Sequence, residues 1–176
     1  MKRYVALVGF MASGKSTIGR GLARRLGCAF FDTDEIVVGK HGAVAQIFAA
    51  QGEAAFRQYE REALHEALSG AGGGVVALGG GALVLEENRA LVEERAHRVF
   101  IKLSPESVRG RLQKSREVRP VLGRAPSLAQ VVELYDRRFA QYAAADCVVD
   151  ADGINGEQAV DAIVTWLRAK KIEIGP

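Results

Sequence analysis

The sequence predicts an α/β protein, a three-layer α/β/α sandwich around a five-stranded parallel sheet. Three observations predict it. Five short runs, Tyr4–Val8, Ala29–Phe31, Val75–Leu78, Val99–Leu103 and Val148–Val149, are uniformly apolar rather than alternating, as strands covered on both faces are. Stretches with helical periodicity separate them, which is the order of a parallel sheet with crossover helices. The 176 residues suit one domain with a proper core, so the expected organisation is a single domain over 1–176.

Each element has its own signal. After the first strand, Ile18, Leu22, Ala23 and Leu26 recur at helical spacing, and Gly27 stands where a helix C-cap is expected. From Asp34 the pattern is helical with breaks at Gly39 and Gly42, and a further helix ends near Gly52. A long helix over Glu53–Leu68 carries Phe56, Tyr59, Ala63 and Leu64 on one face. A helix covers Glu86–Arg95. Ser104-Pro105 reads as a cap followed by a first-turn proline, for a helix that gives out near Lys114. Residues 115–126 are polar and arginine-rich and read as a mobile loop. Ser127 to Gln130 has the form of a capping box, and its helix turns Leu128, Val131, Val132, Tyr135, Phe139 and Tyr142 inward. A last helix runs from Glu157 to Lys170.

Bulk properties exclude several classes. A formal charge of +3 is too small for a dedicated nucleic-acid binder. No apolar run approaches a membrane span, and no signal peptide precedes the first strand, so the cytoplasm is the expected compartment. Cys28 and Cys147 lie far apart without metal or redox spacing and read as small core residues. His41, His65 and His97 are scattered and form no metal-ligand pattern. The basic residues Arg109, Arg111, Lys114, Arg116, Arg119 and Arg124 crowd one segment, either as a solvated face or for a purpose. No heptad or long exposed apolar patch is apparent, so a monomer is expected.

In such folds ligands bind beyond the carboxyl ends of the strands. The first of these loops is Gly9-Phe-Met-Ala-Ser-Gly14-Lys15-Ser16, which fits G-x-x-x-x-G-K-[S/T] between a strand and a helix. Glycines let backbone N–H groups curve around phosphate oxygens, and the helix N-terminus adds its dipole and unpaired donors. Lys15 reaches the outer phosphates and the Ser16 hydroxyl can ligate Mg²⁺. Met11, Ala12, Ser13 and Thr17 complete the loop. The motif announces a nucleoside triphosphate. No Asn-Lys-x-Asp appears for guanine, Asp150 to Gly153 reads as a turn, and the glycines at 72–74 precede a strand rather than follow one.

The second loop is Asp32-Thr33-Asp34. Residues i and i+2 of a strand share a side, so both carboxylates are expected to face the space beside the phosphate loop. One can bind Mg²⁺ and the other can take the proton of an attacking hydroxyl. Asp34 can equally be the N-cap of the next helix.

With GKSTIGRGLARRLG, FFDTD, IFAAQGEAAFRQYE, LGGGA, VRPVL and YDRRFAQY in this order, the chain resembles the shikimate kinases, P-loop kinases of the nucleoside-monophosphate-kinase type. The likeness spans nearly the whole chain. It implies a P-loop kinase fold with a mobile lid at about 112–126 and substrate-binding helices at about 34–65. It also implies transfer of the ATP γ-phosphate to the 3-hydroxyl of shikimate, with Mg²⁺ as cofactor. By the resemblance, Asp34 binds the substrate hydroxyls and is the candidate base, and Asp32 is the magnesium-associated carboxylate. Arg57 and Arg138 match the pair that holds the substrate carboxylate, a task suited to planar guanidinium groups. Gly79, Gly80 and Gly81 match a loop closing over the substrate, Phe48 and Phe56 its apolar walls, and Glu60 a carboxylate steadying the arginines or a hydroxyl. Arg119 matches the lid arginine that swings onto the phosphates, where a late cation stabilises the transferred group. Arg111 is the candidate to lie on the adenine ring.

Two positions depart from the family pattern. Val38 and Gln46 stand where glutamate is frequent, and both read as helix variation. The alternatives are a related kinase acting on another small hydroxylated acid such as gluconate or on a nucleoside monophosphate, and a non-catalytic nucleotide-binding module. Two carboxylate-directed arginines favour an acidic acceptor, and a module without catalysis has no need of Lys15, Ser16, Asp32, Asp34 and Arg119 together.

Overall fold

A computed structural model of the chain describes residues 2–115, 120–123 and 125–175. Arg119, Arg116 and Arg124, with part of the expected lid, lie outside the described residues.

The five expected strands are β1 (Tyr4–Val8), β2 (Phe30–Asp32), β3 (Gly74–Ala77), β4 (Ala96–Lys102) and β5 (Cys147–Asp150). They form one parallel sheet in the order β2-β3-β1-β4-β5. β1 is central, and all five of its side chains are buried, as its unbroken apolar run requires. Each such aliphatic side chain contributes roughly 1.5–3 kcal/mol on burial. The helices are α1 (Lys15–Leu26), α2 (Thr33–His41), α3 (Val44–Ala67), α4 (Glu86–Arg95), α5 (Pro105–Lys114), α6 (Leu128–Ala143) and α7 (Gly156–Ala169). α1 packs on α7 across one side, while α5 lies on α6 and α4 against β4.

The boundary signals act as their chemistry dictates. Gly27 caps α1 in the left-handed region, at φ 68°. Ser104 accepts from the Ser107 amide at the start of α5, and Ser127 with Gln130 forms a reciprocal capping box on α6. Asn155 and Gln158 form a second such box on α7, which the sequence reading did not single out. Gly52 leaves helical geometry at φ 81° and ψ 177°, so α3 is two helices joined at a kink where a break was expected.

Three expectations need correction. β5 is an edge strand, so Val148 is 52% exposed rather than covered on both faces. Cys28 and Cys147 are half-buried free thiols at the rim of the core rather than inside it. On α6 Phe139 is 38% exposed, while Leu134 and Arg138 take buried positions that the apolar pattern did not assign. Phe139 still meets Phe100 and Tyr135 by ring contacts, so it is only partly turned outward.

The main core surrounds the sheet. A second, smaller cluster lies between α2 and α3 and contains Val37, Ile47, Phe56 and Ala63. The helical pair beside the β2 end of the sheet therefore has an apolar contact of its own. Its inner wall borders the cleft described next.

Candidate active site

A cleft of about 630 Å³ opens above the carboxyl ends of β1, β2 and β3. Its floor is the turn from β1 into α1. Gly9 stands at φ 145°, and a Cβ there would lie 2.6 Å from the Ile101 carbonyl oxygen. Gly14, at φ 97°, is the N-cap of α1 and makes no side-chain cap bond, so no cap side chain covers the first amides of that helix. Ala12 takes φ 59°, a conformation uncommon outside glycine, inside this same loop. The curvature and the helix dipole together suit a polyphosphate. The Lys15 ammonium lies over the loop, donating to the Gly9 and Phe10 carbonyls at 2.9 and 2.8 Å. Ser13 is buried beneath it. Met11, Ala12, Gly14, Ser16 and Thr17 face the cleft.

The first carboxylate, Asp32, ends β2 and sits beside the phosphate loop. Its Oδ2 accepts from the Ser16 hydroxyl at 2.5 Å, and its Oδ1 accepts from the Asp34 and Glu35 amides at 3.0 and 3.3 Å. Asp32 is therefore the N-cap of α2, a role the sequence left open for Asp34. Asp34 is not a strand residue. It lies in the first turn of α2, and the two carboxylates share the cleft because the strand turns directly into a helix. A hydroxyl and a carboxylate oxygen so close together form a hard-oxygen pair that fits Mg²⁺. Among the described residues no group of three or more His, Cys, Asp or Glu side chains could hold a metal ion.

The opposite wall carries the arginines. Arg57 Nη1 donates to Glu60 at 2.7 Å, and Nη2 donates to Glu53 at 3.0 Å. Burial works to lower the Arg57 pKa, but Glu60 and Glu53 outweigh it and the net shift is upward. Glu60 is 1% exposed. Burial pushes its carboxyl up to about 7, against the pull of Arg57; Asp34 adds to the rise and Arg138 opposes it. Arg138 is buried and donates to the Gly80 carbonyl at 3.1 Å, whereas Arg137 is at the surface beside Glu133. Of the two adjacent arginines, only Arg138 faces the cleft.

The glycines after β3 pass between these walls. Thr33 Oγ1 accepts from the Gly79 amide at 2.9 Å, and the Tyr142 hydroxyl donates to the Gly80 carbonyl alongside Arg138. Sequence reasoning missed Thr33 and Tyr142 as site residues, since a threonine between aspartates and a tyrosine on an apolar face carry no signal of their own. A Cβ at Gly79 would lie 2.6 Å from Asp34 Oδ1 and 2.7 Å from Glu60 Oε1, and one at Gly81 would run into the Arg57 guanidinium. The backbone of Gly79 lies outside the left-handed region, so alanine is conformationally allowed there and only the collision opposes it. Gly79→Ala is expected to lower kcat/KM by about 10²-fold while the fold persists, because displacing reactive groups by even 1 Å has that effect. Circular dichroism with steady-state kinetics checks this, and unaltered kinetics would refute it.

Phe48, Phe56, Val38 and Val44 give the cleft an apolar side. Phe48 and Phe56 stack at a tilt with centroids 4.9 Å apart. Val38 is therefore more than helix variation, since it lines the cleft; its neighbour-by-one-turn position after Asp34 aims it there. Pro120 and Val121 border the same space. Arg111 does not line this cleft. It rests on the outer side of the phosphate loop, donating to the Ala12 carbonyl at 3.1 Å.

Comparison with known proteins gives the family. The family model described as Shikimate kinase matches residues 11–168. A shikimate kinase of Geobacter sulfurreducens is 41% identical over 167 residues, covering 94% of this chain and 91% of the relative. One of Ruegeria pomeroyi is 35% identical over 173 residues, covering 97% and 88%. The structure of shikimate kinase from Acinetobacter baumannii in complex with shikimate superposes with a TM-score of 0.90 at 29% identity, covering 98% of this chain and 96% of that one. The gluconate alternative is not favoured. The family model and these relatives, each matched over nearly the full length, show that the chain belongs to the shikimate kinase family.

Proposed function

We propose that this cleft transfers the γ-phosphoryl group of ATP to the 3-hydroxyl of shikimate, with the residues acting as follows. The phosphate loop and Lys15 hold the triphosphate, and Arg57 and Arg138 grip the acceptor carboxylate. Asp34, between them, orients the hydroxyl and accepts its proton as the new P–O bond forms and the bond from the γ-phosphorus to ADP breaks. The Gly79–Gly81 backbone and the Phe48, Phe56 and Val38 side chains enclose the acceptor ring. Ser16 and Asp32 would hold Mg²⁺, which when bound neutralises charge on the phosphate oxygens. Arg119 is assigned to the phosphates and Arg111 to adenine on the family resemblance. Residues 112–126 are assigned as a lid because Pro120 and Val121 border the cleft. A monomer is proposed because few large hydrophobic side chains are exposed among the described residues, and a cytoplasmic location because both cysteines are free thiols.

The reading rests on one observation: two arginines face a carboxylate across a cleft whose floor is a phosphate loop. That arrangement suits a small anionic acceptor bearing a hydroxyl. The Acinetobacter relative was solved with shikimate, which supports that choice of acceptor. Coupled assays of ADP release should show turnover with ATP and shikimate and none with gluconate or AMP. The reverse pattern would overturn the acceptor assignment.

A further inference from the structure

Glu60 occupies an unusual place in this site. It is among the most deeply buried side chains of the molecule, yet it stands at the cleft and is partnered by Arg57, the residue assigned to the acceptor carboxylate. In the structure Arg57 is already satisfied twice, by Glu60 at 2.7 Å and by Glu53 at 3.0 Å. A third carboxylate entering at Arg57 brings a second negative charge against Glu60 with no new cation to balance it. Among the described residues, the charged and titratable groups facing Glu60 are Arg57 from its own helix, Asp34 from α2, and Arg138 and Tyr142 from α6. Arg138 already bonds to the Gly80 carbonyl and is assigned to the same acceptor. Asp34 is itself acidic and lies on the other side of Gly79. Among the described residues facing Glu60, the cations are thus Arg57 and Arg138, and both are assigned to the acceptor once it is in place.

We propose that binding of the acceptor carboxylate at Arg57 drives a proton from solvent onto the Glu60 carboxyl group. The inference rests on the acceptor assignment above. The new O–H bond removes the like-charge repulsion and releases Arg57 to pair with the ligand. It leaves Glu60 as a neutral hydrogen-bond partner that still fixes the guanidinium in place, so Glu60 is a positioning residue acting through Arg57. The starting point makes this accessible near neutral pH, since burial already holds the Glu60 carboxyl at about 7. An added neighbouring anion moves it further up. Acceptor binding then has a built-in preference for mildly acidic over alkaline conditions, although shikimate's own carboxylate stays ionised throughout.

Isothermal titration of the full chain with shikimate, in buffers of different ionisation enthalpy, measures the proton count directly. At pH 7.5 the expected uptake is roughly half a proton or more per site, falling toward zero near pH 5.5, where Glu60 is already protonated. Glu60→Gln should bind shikimate without uptake and flatten the rise of KM between pH 7 and pH 9. Glu53→Gln, an exposed change at the same arginine, should keep the uptake. Measurable binding with heats independent of buffer would overturn the inference alone, as would uptake persisting in Glu60→Gln. If Glu60→Gln does not fold, the pH profile of the wild-type uptake decides. Absence of any affinity for shikimate would overturn the acceptor assignment together with this inference.

Discussion

Asp34→Asn is expected to lower kcat by about 10²–10⁴-fold while leaving ATP affinity within about twofold, the range for losing a positioned proton acceptor. The substitution is nearly isosteric, so the hydroxyl can still be approached but its proton has nowhere to go. The cap of α2 also survives, because Asp32 accepts from the backbone amide of residue 34, whatever its side chain. Loss of one acidic group in the first turn of a helix costs only about 0.3–1 kcal/mol. Nucleotide titration and single-turnover measurements separate binding from chemistry. A kcat within tenfold of wild type would restrict Asp34 to orienting the acceptor.

Arg57→Ala is expected to raise the KM for shikimate by 10²-fold or more, and it should also destabilise the fold in a pH-dependent way. Truncating one partner of a buried charged pair leaves the other uncompensated and costs about 3–5 kcal/mol. Here the stranded group is Glu60, whose carboxyl in the folded chain stands at about 7 against a usual value of 4.5. A carboxyl raised on folding lends stability that is fully present below its unfolded pKa and is lost as pH rises through the folded one. In the wild type this loss falls between about 4.5 and 7. Removing Arg57 takes away the main downward pull, so the window extends upward and protonation relieves more of the penalty. The variant's deficit in Tm should therefore be larger at pH 8 than at pH 6. Thermal melts across that range check it, and a pH-independent deficit would mean that Glu60 finds another partner.

Many of the residues that line the candidate cleft are legible in the sequence, for reasons that differ residue by residue. The phosphate loop reads from sequence because a phosphate cradle is built from backbone, and backbone curvature demands glycine at fixed spacing: Gly9 and Gly14 both take positive φ. Asp32 and Asp34 read because acidic residues at the end of an apolar strand have few structural reasons to be there. Their geometry was misread, since helix α2 begins one residue earlier than strand logic assumes. Arg57 and Arg138 were legible only through the resemblance. An arginine on a helix has no local feature that distinguishes a cleft wall from solvent, and Arg137 differs from Arg138 only by about 100° of helical rotation.

The sequence by itself determined the α/β class, the order of strands and helices, the caps that bound them and the chemistry of the phosphate loop. Those properties follow from local periodicity and from backbone preferences acting over a few residues. Tertiary structure alone decided what depends on distant partners. It placed β1 between β3 and β4, left Val148 on an open edge, turned Val38 into a cleft wall and locked Gly80 under Arg138 and Tyr142 from 58 and 62 residues away. It also buried Glu60 beside Arg57 and Asp34. No local pattern encodes that burial, because the desolvation that shifts its carboxyl arises only when α2, α3 and α6 close around it.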